Sequence, residues 1–359
     1  MKDFLLIGCG LAGVAFAETV LQKQQSIFVI NNNSQNSSKI AGGMYNPVVL
    51  KRFSAVWNAT SQIDFASKFY TELQSKLKTH FDFKLPLLRK FYSVEEQNNW
   101  FIASDKIELA PFLSTKLTSS KWNHIPAPFS FGEVLNCGYL DTALLLERYI
   151  SYLQSLNCYQ TATFDYSALE FFDDYVSYSG IKYKNVVFAE GFGMLSNPFF
   201  KDLPMDGTKG ELLIIKAPLL QLDVIVKSGI FIVPIGNDLY KVGATYNWTD
   251  KTDTLTEEGK NELLDGIKDL ITCPFEIIEH RSGVRPTVKD RRPLVGTHPL
   301  YPRLHLLNGM GTRGVMLAPS MANDLYNSIQ NGVALDKNID IQRIKGFSVN
   351  SKNFTPITY

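Results

Sequence analysis

Gly8, Gly10 and Gly13 stand in Gly-x-Gly-x-x-Gly spacing directly after the apolar run Phe4-Leu5-Leu6-Ile7. Glycines so spaced behind a strand serve phosphate binding. The first turns the chain, the second lets backbone approach a pyrophosphate, and the third lets the next helix lie close on the strand. Leu11 and Ala12 then open a helical pattern whose N–H groups and positive dipole end face the anion. A second glycine-rich stretch, Asn308-Gly309-Met310-Gly311-Thr312-Arg313-Gly314, follows the apolar run Leu304 to Leu307 and brings a second helix start. Arg285, in Gly283-Val284-Arg285-Pro286, offers the parallel donors that grip a carboxylate, and Arg52 is a second cationic candidate.

These residues need a strand–helix–strand frame, and the pattern supplies one. A helix is expected over 11–21 and a second strand over 27–30. The end of that strand should present Asp or Glu to a ribose hydroxyl, but the chain carries Asn31-Asn32-Asn33. Asn31, with Asn32 beside it, is the candidate ribose contact, through an amide oxygen without a carboxylate's charge. Lys2, the apolar run and Ala15-Phe16-Ala17 imitate a secretory signal, yet Asp3 and the glycines spoil that pattern and cleavage would delete the motif.

Farther along, 62–79 reads as a helix and 81–135 as an aromatic-rich region of short strand-like runs. Asp141 introduces a helix with Leu144, Leu145, Tyr149 and Leu153 on helical spacing. The apolar stretch Val186 to Ala189 then ends at Glu190-Gly191, where a parallel strand could turn beside a cofactor. Antiparallel strands are expected over 211–215, 230–234 and 240–246, a helix capped by Thr256 to 270, and a last helix over about 318–330.

The chain has 359 residues, 45% hydrophobic and 20% charged, which suffices for a large core and for two domains. No long linker divides it, so the domains are expected to interleave. A net charge of +1 provides no global field for nucleic acid or an anionic membrane. No apolar run reaches the roughly 18 residues of a spanning helix. Cys9, Cys137, Cys158 and Cys273 are scattered, as are the five histidines, so no metal and no disulfide is assigned and a reducing, cytoplasmic setting is expected.

Read with the first glycine motif, the segments Arg281 through Gly296 and Gly309 through Pro319 resemble the D-amino-acid oxidase superfamily of FAD enzymes. The nearest branches are glycine oxidase and the oxidoreductase half of the bifunctional enzyme that trims carboxymethylaminomethyl-uridine in tRNA. Ala41-Gly42-Gly43-Met44 is similar to the family's flavin-facing loop, and Phe231 to Pro234 with Gly243-Ala244-Thr245 to its substrate-domain strands. Lys209-Gly210-Glu211-Leu212 also matches a family segment.

The resemblance implies an α/β fold, with a Rossmann-like FAD-binding domain (1–80, 136–205 and 281–335) interleaved with an antiparallel-sheet substrate domain (81–135 and 206–280), then a tail over 336–359. It assigns Arg285 to the substrate carboxylate. Gly191 joins the cofactor contacts, and Gly309, Gly311, Thr312, Arg313, Gly314 and Val315 fall to the pyrimidine end of the flavin. Relatives carry tyrosine where this chain has Phe231, so Tyr246 is the candidate replacement for the lost hydroxyl. Glu190 stands where the family has a small or hydroxyl residue. No cysteine matches the covalent flavin link of sarcosine oxidases, which implies noncovalent FAD.

The implied chemistry is oxidation of the C–N bond of a small carboxylate-bearing amine such as glycine, sarcosine or another N-substituted glycine. Hydride passes to flavin N5, water hydrolyses the imine, and oxygen takes the electrons. A small amine is the expected partner. The alternatives are demodification of carboxymethylaminomethyl-uridine in tRNA, a noncatalytic flavin-binding partner protein, and a nicotinamide-dependent enzyme. Oligomeric state is not legible.

Overall fold

The computed structural model describes residues 1–347, and the chain divides into two compact units. The first comprises Met1–Lys39, Thr142–Thr208 and the chain from Val284 onward; the second comprises Ile40–Asp141 and Lys209–Gly283. Residues 40–80 and 136–141, expected in the cofactor domain, therefore fall with the second unit. The strand Glu276–Arg285 runs through the last boundary.

In the first unit five strands run parallel in the order Tyr159–Thr161, Ile27–Asn31, Lys2–Ile7, Ile181–Phe188 and Leu304–Asn308. Their interior residues are closed off on both faces: Phe4, Leu5 and Leu6 have no exposed surface, nor have Val186, Val187 and Phe188. This is why they read as continuous apolar runs rather than alternating ones. Leu294–Thr297 pairs antiparallel on Leu304–Asn308. The helix Leu11–Gln22 packs on Gly314–Asn331 and on Thr142–Ser155.

Two expectations change here. The last helix starts at Gly314, inside the glycine motif, although Pro319 lies within it. Proline removes one i to i−4 bond but leaves the first turn, which has no such bonds to lose, intact. Part of the expected tail belongs to the core: Ile341 and Phe347 are buried among Phe200, Leu294 and Met205, and Val295 N donates to Ile339 O at 3.0 Å. Residues 348–359 of that tail lie outside the described residues.

The second unit is built on eight strands in the order Glu276–Arg285, Thr208–Lys216, Leu239–Gly243, Phe231–Gly236, Ile225–Lys227, Leu87–Lys90, Phe131–Val134 and Leu113–Thr118. Gly243, Phe231, Lys227, Arg89 and Gly132 are successive register partners across five of them. Leu263, Ile267 and Leu270 of the helix Glu257–Leu270 bury themselves against Leu213, Ile215, Ile232 and Val242. Thr256 caps that helix by accepting from Gly259 N at 3.0 Å. The strand expected to reach 246 ends at Gly243, because the next residues leave the ladder and Asn247 bridges Lys209 instead. The region 81–135 contains a helix, Val94–Ser104, which the sequence pattern did not resolve.

Candidate functional site

The glycine spacing is set by backbone crowding. Gly8 has φ +98°, and a Cβ there would stand 2.4 Å from Ala189 O. A Cβ on Gly13 would stand 2.2 Å from Gly8 O, which is how the helix comes to lie on the strand. Gly10, at the helix N-cap, makes no side-chain cap. Leu11 N donates to Ser38 Oγ at 3.2 Å, while Ala12 and Gly13 carry first-turn N–H groups that have no acceptor within the helix. Ser38 lies on the short helix Ser37–Ile40, in a stretch whose sequence reads only as a polar loop.

Asn31 ties the second strand to the glycine turn: its Oδ1 accepts Cys9 N at 3.3 Å, and its Nδ2 donates to Asn33 Oδ1 at 2.7 Å. Asn32 is exposed, and its Oδ1 accepts Ser34 N at 3.0 Å in a local turn.

The second glycine motif joins the first through side-by-side helix starts. A Cβ on Gly314 would meet Leu11 Cδ1 at 3.4 Å, and neither helix has a side-chain N-cap. Two positive dipole ends thus meet beside a cradle that side chains would fill. This arrangement fits the diphosphate of a dinucleotide. Gly309, at φ +74°, turns where a Cβ would press Val288 Cγ2 at 2.8 Å. Gly311 N donates to Pro286 O at 3.0 Å, and Thr287 N to Arg285 O at 2.8 Å, so the turn is stitched to the residues that follow Arg285. Thr312, Arg313 and Val315 share this turn and helix start.

Gly191, at φ +57°, accepts Asn308 Nδ2 on its carbonyl at 2.8 Å. Its neighbour Glu190 receives the Tyr166 hydroxyl on one oxygen and Asn197 Nδ2, at 2.8 Å, on the other. Burial pushes this carboxyl up to about 7, against the pull of those two donors.

In the second unit the loop Ala41 to Met44 packs on Phe231. Added Cβ atoms on Gly42 and Gly243 would stand 2.6 and 2.8 Å from Phe231 Cζ. Gly43, at φ +75°, turns against Leu140 O, and Met44 pairs with Tyr139. Lys241, which no motif singles out, is buried with Nζ 3.5 Å from Ala41 O and 4.9 Å from the Tyr139 ring centroid. Burial lowers its ammonium to about 8, opposed by the nearby Asp141 charge. Tyr246 lies beyond the strand end, 58% exposed, and Arg52 sits on an exposed turn. Phe231 and Gly42 are brought together; Tyr246 and Arg52 are not seated in that contact.

Lys209 and Glu211, from the family-like segment, form a buried network. Lys209 Nζ bonds Asp250 Oδ2 at 2.6 Å and approaches Glu211 Oε1 at 3.5 Å. Glu211 also receives Thr256 Oγ1 at 2.6 Å and faces His280 Nε2 at 2.7 Å.

Comparison with known proteins agrees with this architecture. Residues 3–326 match the family described as DAO, FAD dependent oxidoreductase. Over 115 residues, 31% of the chain and 30% of the relative, the sequence is 31% identical to a glycine oxidase of Geobacillus kaustophilus. Over 351 residues, 90% of the chain and 55% of the relative, it is 21% identical to the tRNA 5-methylaminomethyl-2-thiouridine biosynthesis bifunctional protein MnmC of Marinobacter nauticus. These matches span less than two thirds of each curated relative. The crystal structure of the Geobacillus kaustophilus glycine oxidase superposes with TM-score 0.74 at 17% identity, covering 99% of both chains. That of iminodiacetate oxidase from Chelativorans sp. BNC1 gives 0.75 at 16%, covering 94% and 98%. At these identities the likeness establishes the fold. Among the described residues no helix is long and apolar enough to cross a membrane.

Proposed function

Because the chain belongs to the DAO family of FAD-dependent oxidoreductases, we propose that it oxidises the C–N bond of a small amine or amino acid bearing a carboxylate, of the glycine, sarcosine or N-substituted glycine type. The seat of Arg285 carries this reading. The residue closes a strand, and its two successors are bonded to it and to the second glycine turn. A guanidinium rooted in so constrained a backbone can hold a carboxylate through two parallel N–H groups and so orient the carbon that bears the amine.

When bound, FAD supplies the two-electron acceptor. The first unit's glycine cradle and paired helix starts would hold its diphosphate. Backbone N–H groups at Thr312 and Gly314, with the helix dipole behind them, would stabilise negative charge in the reacting region. No side chain need act as acid or base if the amine arrives unprotonated, and water hydrolyses the released imine. Noncovalent attachment is supported by the cysteines. All four are buried, and burial raises every thiol, Cys9 up to about 12, so no thiolate is at hand for a flavin link.

A second reading has one observation in its favour, the match to the Marinobacter bifunctional protein over 90% of the chain. On that reading the oxidised group is the N-carboxymethyl of a wobble uridine in tRNA. The test is an anaerobic titration of the purified yellow protein with glycine, sarcosine, iminodiacetate and a carboxymethylaminomethyl-uridine nucleoside. Bleaching of the visible band by a small amine supports the first reading, bleaching by the nucleoside alone supports the second, and a colourless preparation defeats both.

A further inference from the structure

Four segments of the first unit converge on its glycine turn. Asn31 Oδ1 accepts Cys9 N, Leu11 packs on Gly314, and Asn308 Nδ2 donates to Gly191 O at 2.8 Å. Glu190 forms one wall of the turn, because a Cβ on Gly8 would stand 3.3 Å from its Cα and 2.4 Å from Ala189 O. Residues 8–13, 31–38, 189–197 and 308–315 contain a single acidic side chain, and it is Glu190. A carboxylate has the wrong charge for a place where two helix starts and a glycine cradle gather N–H groups for a diphosphate.

The groups that face this carboxyl are Tyr166, from the turn Tyr166–Ala168, and Asn197, which follows the turn Gly191–Ser196. Neither is a cation. The Tyr166 hydroxyl is itself pushed up, first by burial and then by Glu190, so it keeps its proton. Its ring stacks on Phe188 with centroids 6.1 Å apart, which makes this side of the carboxyl apolar. With burial holding Glu190 at about 7, the residue is divided between its two forms near neutral pH. The histidines of this unit do not share the window: burial lowers His298 to about 4 and His305 to about 3, and both stay uncharged.

We propose that Glu190 belongs to the FAD site and sets its affinity through a proton: uncharged, the residue admits the diphosphate, and ionised, it opposes it. This rests on FAD binding by the first unit and not on which amine is oxidised. The coupling is reciprocal, so FAD binding draws a proton onto the carboxyl. A small or hydroxyl residue at this position would bind FAD without that dependence.

Serial dilution of the purified holoenzyme at about pH 6 and about pH 8.5, with the fluorescence of released FAD as readout, tests the coupling. FAD has no group that titrates between those values. The dissociation constant should be about fivefold or more larger at the higher pH. Glu190→Gln should bind at both values as the parent does at the lower one. Tyr166→Phe removes a donor that favours the charged form, so its weakening should be displaced to higher pH. Calorimetric titration of the flavin-stripped full chain in two buffers of different ionisation heat should show proton uptake on binding near neutrality, which decides the matter even where Glu190→Gln fails to fold. A dissociation constant that does not change with pH in the parent, an equal rise in Glu190→Gln, or binding without proton uptake overturns the role of Glu190 while leaving a flavoprotein. Failure to hold FAD at either pH defeats the cofactor assignment with it.

Discussion

Gly42 and Phe231 touch with no room for a methyl group between them: a Cβ on Gly42 would stand 2.6 Å from the ring's Cζ. The ring is also confined by Gly243, so it cannot swing away freely. Gly42→Ala should cost about 1–3 kcal/mol, the usual range for overpacking a close contact. Denaturant unfolding of Gly42→Ala, Phe231→Leu and the double variant checks this. The double variant should be more stable than the sum of the single losses, and strict additivity would show that the contact is not what Gly42 serves.

A methyl at Gly13 would meet backbone rather than a flexible side chain, 2.2 Å from Gly8 O. Gly13→Ala should therefore part the helix from the strand and weaken FAD binding by roughly tenfold or more. The ratio of visible to ultraviolet absorbance after purification, and fluorescence titration of the stripped protein, report it. A variant that keeps its full colour would contradict the cradle.

Arg285→Ala should keep bound flavin yet lose substrate-driven bleaching, whereas Arg285→Lys should retain a small part of it, since an ammonium supplies charge without the fork. Anaerobic stopped-flow traces decide the matter. If Arg285→Ala bleaches like the parent, the carboxylate role is wrong, and a noncatalytic flavoprotein becomes the better description if neither of them bleaches.

Glu190 sets a pH dependence of stability. Its carboxyl is raised from an ordinary value of 4.5 to about 7, so the folded chain holds this proton more tightly than the unfolded one. Its contribution to stability therefore falls as pH climbs through that window and is level above it. Relative to Glu190→Gln, the parent should lose about 2 kcal/mol across the window. Urea midpoints for both proteins at the two ends measure it, and parallel curves would refute the raised carboxyl.

Lys209→Met removes one partner from a buried pair whose side chains are 1% and 3% exposed. Glu211 keeps its Thr256 and His280 contacts but loses its buried cation, which should cost about 3–5 kcal/mol, while Asp250→Asn, on the more exposed side, should cost much less. Thermal unfolding of the two variants side by side tests the ordering.

The parallel sheet was legible because strands covered on both faces need no alternation, and Phe4 to Ile7 shows that directly. The glycine motifs were legible because their spacing answers to backbone crowding within a few residues. The helix Val94–Ser104 was obscured by the aromatic texture around it, although Ser93 caps Glu96 N at 3.2 Å, and that Ser-x-x-Glu spacing is a start signal. The pairing of Arg89 with Lys227 carried no local sign, since it arises from strands far apart in the chain that meet in parallel. Glu190 was visible as an anomaly but not explicable, because Tyr166 and Asn197 reach it from different turns. Tyr246 was drawn into the strand by an alternation that the ladder abandons at Gly243.

The strand Ile181–Phe188 lies between Lys2–Ile7 and Leu304–Asn308, and the first helix packs on Gly314–Asn331. During synthesis the glycine loop after Lys2–Ile7 is therefore made long before its neighbours Leu304–Asn308 and Gly314–Asn331, whereas every segment of the second unit has been made once Gly283 is added. FAD is accordingly expected to be loaded only after the last helix has been made, with the second unit able to fold before it. Cells starved of riboflavin should accumulate a species in which the second unit resists protease while the first is cleaved, and pulse-labelling with limited proteolysis would reveal it.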